Sequence, residues 1–117
     1  MAAEPYWEPI EVITEKPHIF IEKYAEMAHH ALLCLSHALA DEWDKAKEEC
    51  RKVCDVYDDM LKEGFWAPED KPTLETMKDR LRTAVRDKDI EALGDALMDV
   101  LKEIEDAVSY VSFGTWA

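Results

Sequence analysis

The sequence predicts an all-α protein: a four-helix bundle built from two antiparallel helical hairpins, preceded by an extended N-terminal arm. Three observations carry that expectation. Residues 18–63 contain neither Gly nor Pro. Apolar residues recur through the chain at spacings of three and four, the helical period. The three Gly and five Pro of the 117 residues fall mostly outside those periodic stretches, where they act as breakers.

The arm spans 1–17. Pro5, Pro9 and Pro17 interrupt it, Ile10, Val12 and Ile13 suit an extended segment, and Tyr6 and Trp7 give it apolar anchors. The first helix is expected over about 18–40, with Ala28, Leu32, Leu35 and Leu39 as its apolar stripe. The second covers about 42–63, through Trp43, Ala46, Cys50, Val53, Tyr57 and Leu61. Between them Asp41 is placed to cap, with Asp44 three residues on, although one continuous helix is the rival reading. Gly64 supplies a left-handed position after the second helix, and Phe65 is set to close back on Met60.

Residues 64–72 form the clear loop, after which Thr73 is the expected cap of a third helix with Leu74, Met77, Leu81, Ala84 and Val85 on its apolar face. Asp87-Lys88-Asp89 reads as a tight turn, and Asp89 caps the fourth helix. There Ile90, Leu93, Leu97, Val100, Leu101, Ile104, Val108 and Val111 lie on one side, opposite Glu91, Asp95, Asp99, Lys102 and Asp106. Residues 18–112 thus form the bundle and 113–117 an aromatic tail. An offset of 47 residues maps Trp43, Ala46, Cys50, Val53, Cys54 and Tyr57 onto Ile90, Leu93, Leu97, Val100, Leu101 and Ile104, an echo that supports two similar halves.

Charge narrows the function. The 27 acids and 14 bases give a net charge of −13, which repels nucleic-acid backbones and anionic membranes and calls for a basic protein partner. Residues 71–88 carry six bases against three acids, and residues 89–117 carry seven acids against Lys102 alone. Opposite charges are therefore expected along the margins of the seam between the last two helices. No apolar run approaches the ~20 residues of a membrane span. The N-terminus shows no basic and apolar leader pattern, and three cysteines do not make a disulfide framework, so a cytoplasmic setting is expected.

Two constellations suggest metal chemistry. Glu26, His30, Cys34, His37 and Asp41 follow one another at spacings of four, four, three and four, on the face expected to lie opposite the Leu32 stripe. Imidazole and thiolate suit a transition metal, with His30, Cys34 and His37 as its candidate ligands. A rise of about 10.5 Å from i to i+7 lets one helix supply a pair only, the rest coming from elsewhere. If no metal binds there, replacing both histidines with Ala is expected to cost little stability. Cys50 and Cys54, four apart, are expected in the core.

The second constellation is the acid row Glu91, Asp95 and Asp99, whose carboxylates suit Mg²⁺. Two partial resemblances accompany these sets. Glu26-Met27-Ala28-His29 resembles half of a ferritin-like di-iron site, the other half being absent since no histidine follows His37. Glu91-Ala-Leu-Gly-Asp95-Ala-Leu is similar to the metal-binding helix of the all-α nucleotide pyrophosphohydrolases, whose upstream Glu-Glu-x-x-Glu is met here by Glu48-Glu49 followed by Lys52. That resemblance implies a metal-dependent phosphohydrolase.

The expected function is a non-enzymatic acidic interaction module: an adaptor, assembly subunit or inhibitor of a basic, nucleic-acid-handling protein, with homo-oligomers allowed. It has no Gly-rich phosphate loop, and none of its serines (Ser36, Ser109 and Ser112) stands in a nucleophile motif. It would bind through Glu91, Asp95 and Asp99 and through the aromatics Tyr6, Trp7, Trp66, Phe113 and Trp116, with Phe65 also read as exposed. The alternative is a metal-binding bundle using the His/Cys or carboxylate set. No cofactor is called for otherwise.

Overall fold

The computed structural model describes residues 17–65 and 68–113. It contains four helices, α1 (Pro17–Leu39), α2 (Trp43–Lys62), α3 (Lys71–Arg86) and α4 (Ile90–Phe113), with a 3-10 turn at Pro68–Asp70 and no strand among the described residues. The class is all-α. Each helix contacts its neighbours: α1 meets α2 and α4, and α3 meets α2 and α4. One apolar core joins them, with Tyr57, Met27, Met60, Leu81, Leu93, Val53, Val100 and Cys34 its largest fully covered side chains. Among the described residues no helix is long and apolar enough to cross a membrane.

The ends of the first three helices share one device. The N–H of Glu42 donates to the His37 carbonyl (2.8 Å) and that of Asp41 to Ala38 (3.0 Å), while Asp41 sits at φ 59°. The same pair of bonds runs from Phe65 to Met60 (3.0 Å) and from Gly64 to Leu61 (3.2 Å), with Gly64 at φ 80°. It recurs from Asp89 to Ala84 (3.0 Å) and from Lys88 to Val85 (3.2 Å), with Lys88 at φ 54°. These are left-handed C-terminal caps that satisfy carbonyls the helix leaves without partners.

The left-handed position at Gly64 matches the sequence reading, and Phe65 closes on Met60 through its backbone N–H, where a hydrophobic contact was expected. Asp41 does not match: it ends α1 rather than starting α2, and the residue before α2, Glu42, makes no side-chain capping bond. Asp89 does cap α4, accepting from the Ala92 N–H at 3.0 Å. The α1–α2 connection is a break, so the continuous-helix alternative falls.

A lysine at positive φ carries a steric cost of about 1–2 kcal/mol that glycine avoids, against about 0.5–1 kcal/mol of extra glycine entropy. Lys88→Gly is therefore expected to stabilise the protein, raising Tm by roughly 2–5 °C in a thermal melt. A lower Tm would contradict the left-handed assignment at Lys88.

One boundary and two faces differ from expectation. Helix α3 starts at Lys71 after Asp70, so Thr73 lies inside it and caps nothing, and Pro72 sits in the first turn where a missing N–H costs little. On α1 the buried line is Phe20, Tyr24, Met27, Ala31, Cys34 and Ala38, not the predicted leucine stripe; Leu32 is 57% and Leu39 66% exposed. On α4, Leu93, Leu97 and Val100 are buried as expected, whereas Ile90, Leu101 and Val108 remain open. The 47-residue echo holds in burial at three positions: Ala46 with Leu93, Cys50 with Leu97, and Val53 with Val100.

Candidate functional site

The acids of α4 divide between two surfaces. Asp95 lines an open groove of about 470 Å³ between α3 and α4, together with Asp79, Asp87, Asp89, Arg80 and Thr83. Asp99 lines the next groove along the same seam, of about 500 Å³, with Glu103, Asp106, Lys102 and again Arg80. Arg80 stands between the two and forms an ion pair with Asp99, the cross-seam charge contact expected from the sequence. Glu91 is exposed and lines neither groove. The structure thus brings Asp95 and Asp99 onto the α3–α4 seam and leaves Glu91 apart.

Glu103, not singled out in the sequence, shows what the seam does electrostatically. Burial raises its pKa above the ordinary glutamate value, and the nearby carboxylates of Asp106, Asp70 and Asp99 push the same way against Lys102. A carboxyl whose folded pKa is raised destabilises the fold once pH exceeds its unfolded value, and the penalty vanishes on acidification. Glu103→Gln is accordingly expected to raise Tm at pH 7, with the gain fading at about pH 4 and below. A gain that persisted unchanged into acid would remove charge crowding as its cause. The only sequence signal for Glu103 was the one-sided charge of residues 89–117.

The metal candidates on α1 are dispersed. Cys34 is fully buried on the core line, and burial, then Glu49 and Cys54, push its thiol up to about 11. His30 and His37 lie at the margin facing away from that line's centre and are engaged by carboxylates. The Nδ1–H of His30 donates to Glu49 Oε2 at 2.6 Å and that of His37 to Glu42 Oε1 at 3.0 Å. Burial pushes the Glu49 pKa up, but the bonds from His30 and Lys52 outweigh it and hold the group below the ordinary value. His30 is therefore not an ordinary surface residue: removing it strips a partner from a carboxylate whose side chain is only 12% exposed.

Among the described residues no group of three His, Cys, Asp or Glu is placed to hold a metal. Glu26 and His29 are exposed on either side of the buried Met27, so this pair points outward, where a ferritin-like half-site points into the bundle. Glu91 and Asp95 are exposed on α4, while Glu49 is turned to His30 of α1.

Of the aromatics, Phe65 is buried at 4%, its ring centroid 5.3 Å from that of Phe20, so it is a core residue and not an anchor for a partner. Tyr6, Trp7, Trp66 and Trp116 lie outside the described residues, as does the side chain of Phe113, the last residue of α4. Cys50 and Cys54 are buried, as expected. No family model matches the chain, and neither a curated protein nor a solved structure matches it.

Proposed function

We propose that this chain is a non-enzymatic acidic interaction module, an adaptor, assembly subunit or inhibitor that binds a basic protein surface in the cytoplasm. Its helices would act as two antiparallel hairpins presenting carboxylates outward. The observation that supports this reading is the setting of Glu103: the seam holds more negative charge than Arg80 and Lys102 neutralise, and burial together with the carboxylates of Asp106, Asp70 and Asp99 raises the Glu103 pKa. A basic surface relieves that repulsion, so the complex gains electrostatic energy that the free protein lacks. Open grooves lined by Asp79, Asp87, Asp89 and Asp95 extend the same field.

The reading predicts salt-sensitive capture. Immobilised protein should retain a set of proteins enriched in basic isoelectric points from a native lysate. Raising ionic strength from about 0.01 M to about 1 M shortens the screening length from about 30 Å to about 3 Å and should release them. A retained set with no basic bias, or one unmoved by salt, defeats the proposal.

A further inference from the structure

The apolar residues that the core does not use gather on one face. On α1, Lys23 and His30 reach Asp59 and Glu49 of α2, which fixes the side of the helix turned to α2. At about 100° per residue, Ile21, Ala28, Leu32, Leu35 and Leu39 lie on the opposite flank of the buried line. That flank turns toward the other neighbour of α1, which is α4. On α4, Asp99 pairs with Arg80, and Ala92 and Asp95 line the groove shared with α3. The opposite flank, carrying Ile90, Met98, Leu101 and Val108, turns toward α1.

The two flanks therefore meet along the α1–α4 seam, and their outer members stay open: Leu32 and Leu39 from α1, Met98, Leu101 and Val108 from α4. Each row steps by three and four residues, Leu32-Leu35-Leu39 on one side and Leu97-Leu101-Ile104-Val108 on the other. That is the register in which two helices receive the anchors of a third. Gly94 lies on the same flank, and a Cβ added there would meet nothing within 4 Å, so the backbone is approachable.

Charge selects the occupant. Exposed Glu91 and Glu105 border the strip on α4, with Lys102 the single base beside them, and neither carboxylate has an ion-pair partner among the described residues. A second copy of the chain would set the same acidic border against this one, at a net charge of −13 each. Residues 1–16 of the chain itself bring four glutamates and one lysine, again the repelling sign. We propose that the α1–α4 strip is the docking site for a basic amphipathic helix of a partner protein, whose apolar anchors fill the leucine rows and whose lysines or arginines meet the acidic border. This rests on the interaction-module reading and adds to the acidic α3–α4 seam a second face of α4 and one partner class.

The full-length protein is titrated with a helical peptide of leucines on one face and lysines on the other. Two controls are used, a scramble of the same composition and a version with Glu replacing Lys. The amphipathic basic peptide should bind, perturbing the methyl resonances of Leu32, Leu39, Met98 and Leu101. Both controls should bind at least tenfold more weakly. The double variant Leu32→Ser/Met98→Ser should lose at least tenfold in affinity with its Tm unchanged, since both side chains are exposed. Equal binding of the scramble, perturbations confined to α2 and α3, or no binding would each overturn the proposal. If intact basic proteins were still captured in a salt-sensitive way, the broader function would survive that failure. A chain that sediments as a dimer and becomes monomeric with Leu32→Asp would assign the strip to a second copy. Shifts of Tyr6, Trp7 or Val12 caused by Leu32→Ser without peptide would assign it to the chain's own first residues. Either result also overturns the proposal.

Discussion

Lys78→Glu is expected to destabilise the protein by about 3–5 kcal/mol, the scale on which a covered charge loses its compensation. Lys78 is the one charged side chain buried among the described residues, at 5% exposure. Its Nζ donates to Asp58 at 2.6 Å and forms an ion pair with Glu75 at 2.9 Å. Burial alone pulls an ammonium pKa down, but the two carboxylates outweigh it and the group is held above the ordinary lysine value. A raised lysine contributes stability that is complete below its unfolded pKa and is lost only as pH climbs through the higher folded one, so its contribution is constant around pH 7.

A glutamate in its place would set a third carboxylate between Asp58 and Glu75, at the α2–α3 contact. With typical stabilities of about 5–15 kcal/mol, Tm should fall by more than about 10 °C. Protonation should restore part of the loss at about pH 4. Lys78→Met keeps the covered stem, and it leaves two carboxylates that are each 46% exposed and can hydrate, so it should cost under about 1.5 kcal/mol. Equal losses for the two variants in thermal melts would show that shape, not charge, governs this position.

The fold was legible where a helix carries a single apolar line. On α2 and α3 one row of apolar residues faces strongly polar remainders, and the predicted and buried faces coincide at Ala46, Cys50, Val53, Tyr57, Leu74 and Leu81. Helix α1 carries apolar residues over a broad arc, so periodicity offers more than one row and does not choose between them. Packing chose the row of Phe20, Tyr24 and Met27 with the small Ala31, Cys34 and Ala38, because large and small side chains together let the neighbouring helices approach closely. The leucine row was left at the α1–α4 margin.

Helix ends divide in the same way. Gly64 announces its left-handed cap by its residue type, whereas Asp41 and Lys88 adopt that conformation without a glycine to signal it. Their 47-residue separation equals the offset of the apolar echo, so the turn geometry repeats along with the pattern.

The candidate site was legible only as a charge imbalance. Composition gave the sign of the surface, and the Arg80–Asp99 pair follows from the basic third and acidic fourth helices. Spacing could not place Glu103, because its altered proton affinity comes first from burial in the folded protein and then from Asp106 of its own helix and Asp70, 33 residues earlier in the sequence. Nor could spacing separate Glu91 from Asp95 and Asp99, since a row stepping by four drifts around the helix and reaches a different surface at each end.

Leu93→Ala and Leu101→Ala should part company, although both leucines belong to the apolar stripe read from the sequence. Leu93 is fully buried, and its truncation should cost about 2–5 kcal/mol, from lost burial plus the cavity left behind. Leu101 is 36% exposed at the α1–α4 strip and should cost about 1 kcal/mol. Peptide binding should order them the other way. Leu93→Ala, measured below its own lowered Tm, should bind the basic helix unchanged, while Leu101→Ala should bind it several-fold more weakly. Stability and affinity then report on two different rows of one helix, a row that holds the protein together and a row held open beside acids. Were Leu101→Ala to cost as much stability as Leu93→Ala, the strip would already be covered in the free protein, and an incoming helix would have to displace what covers it.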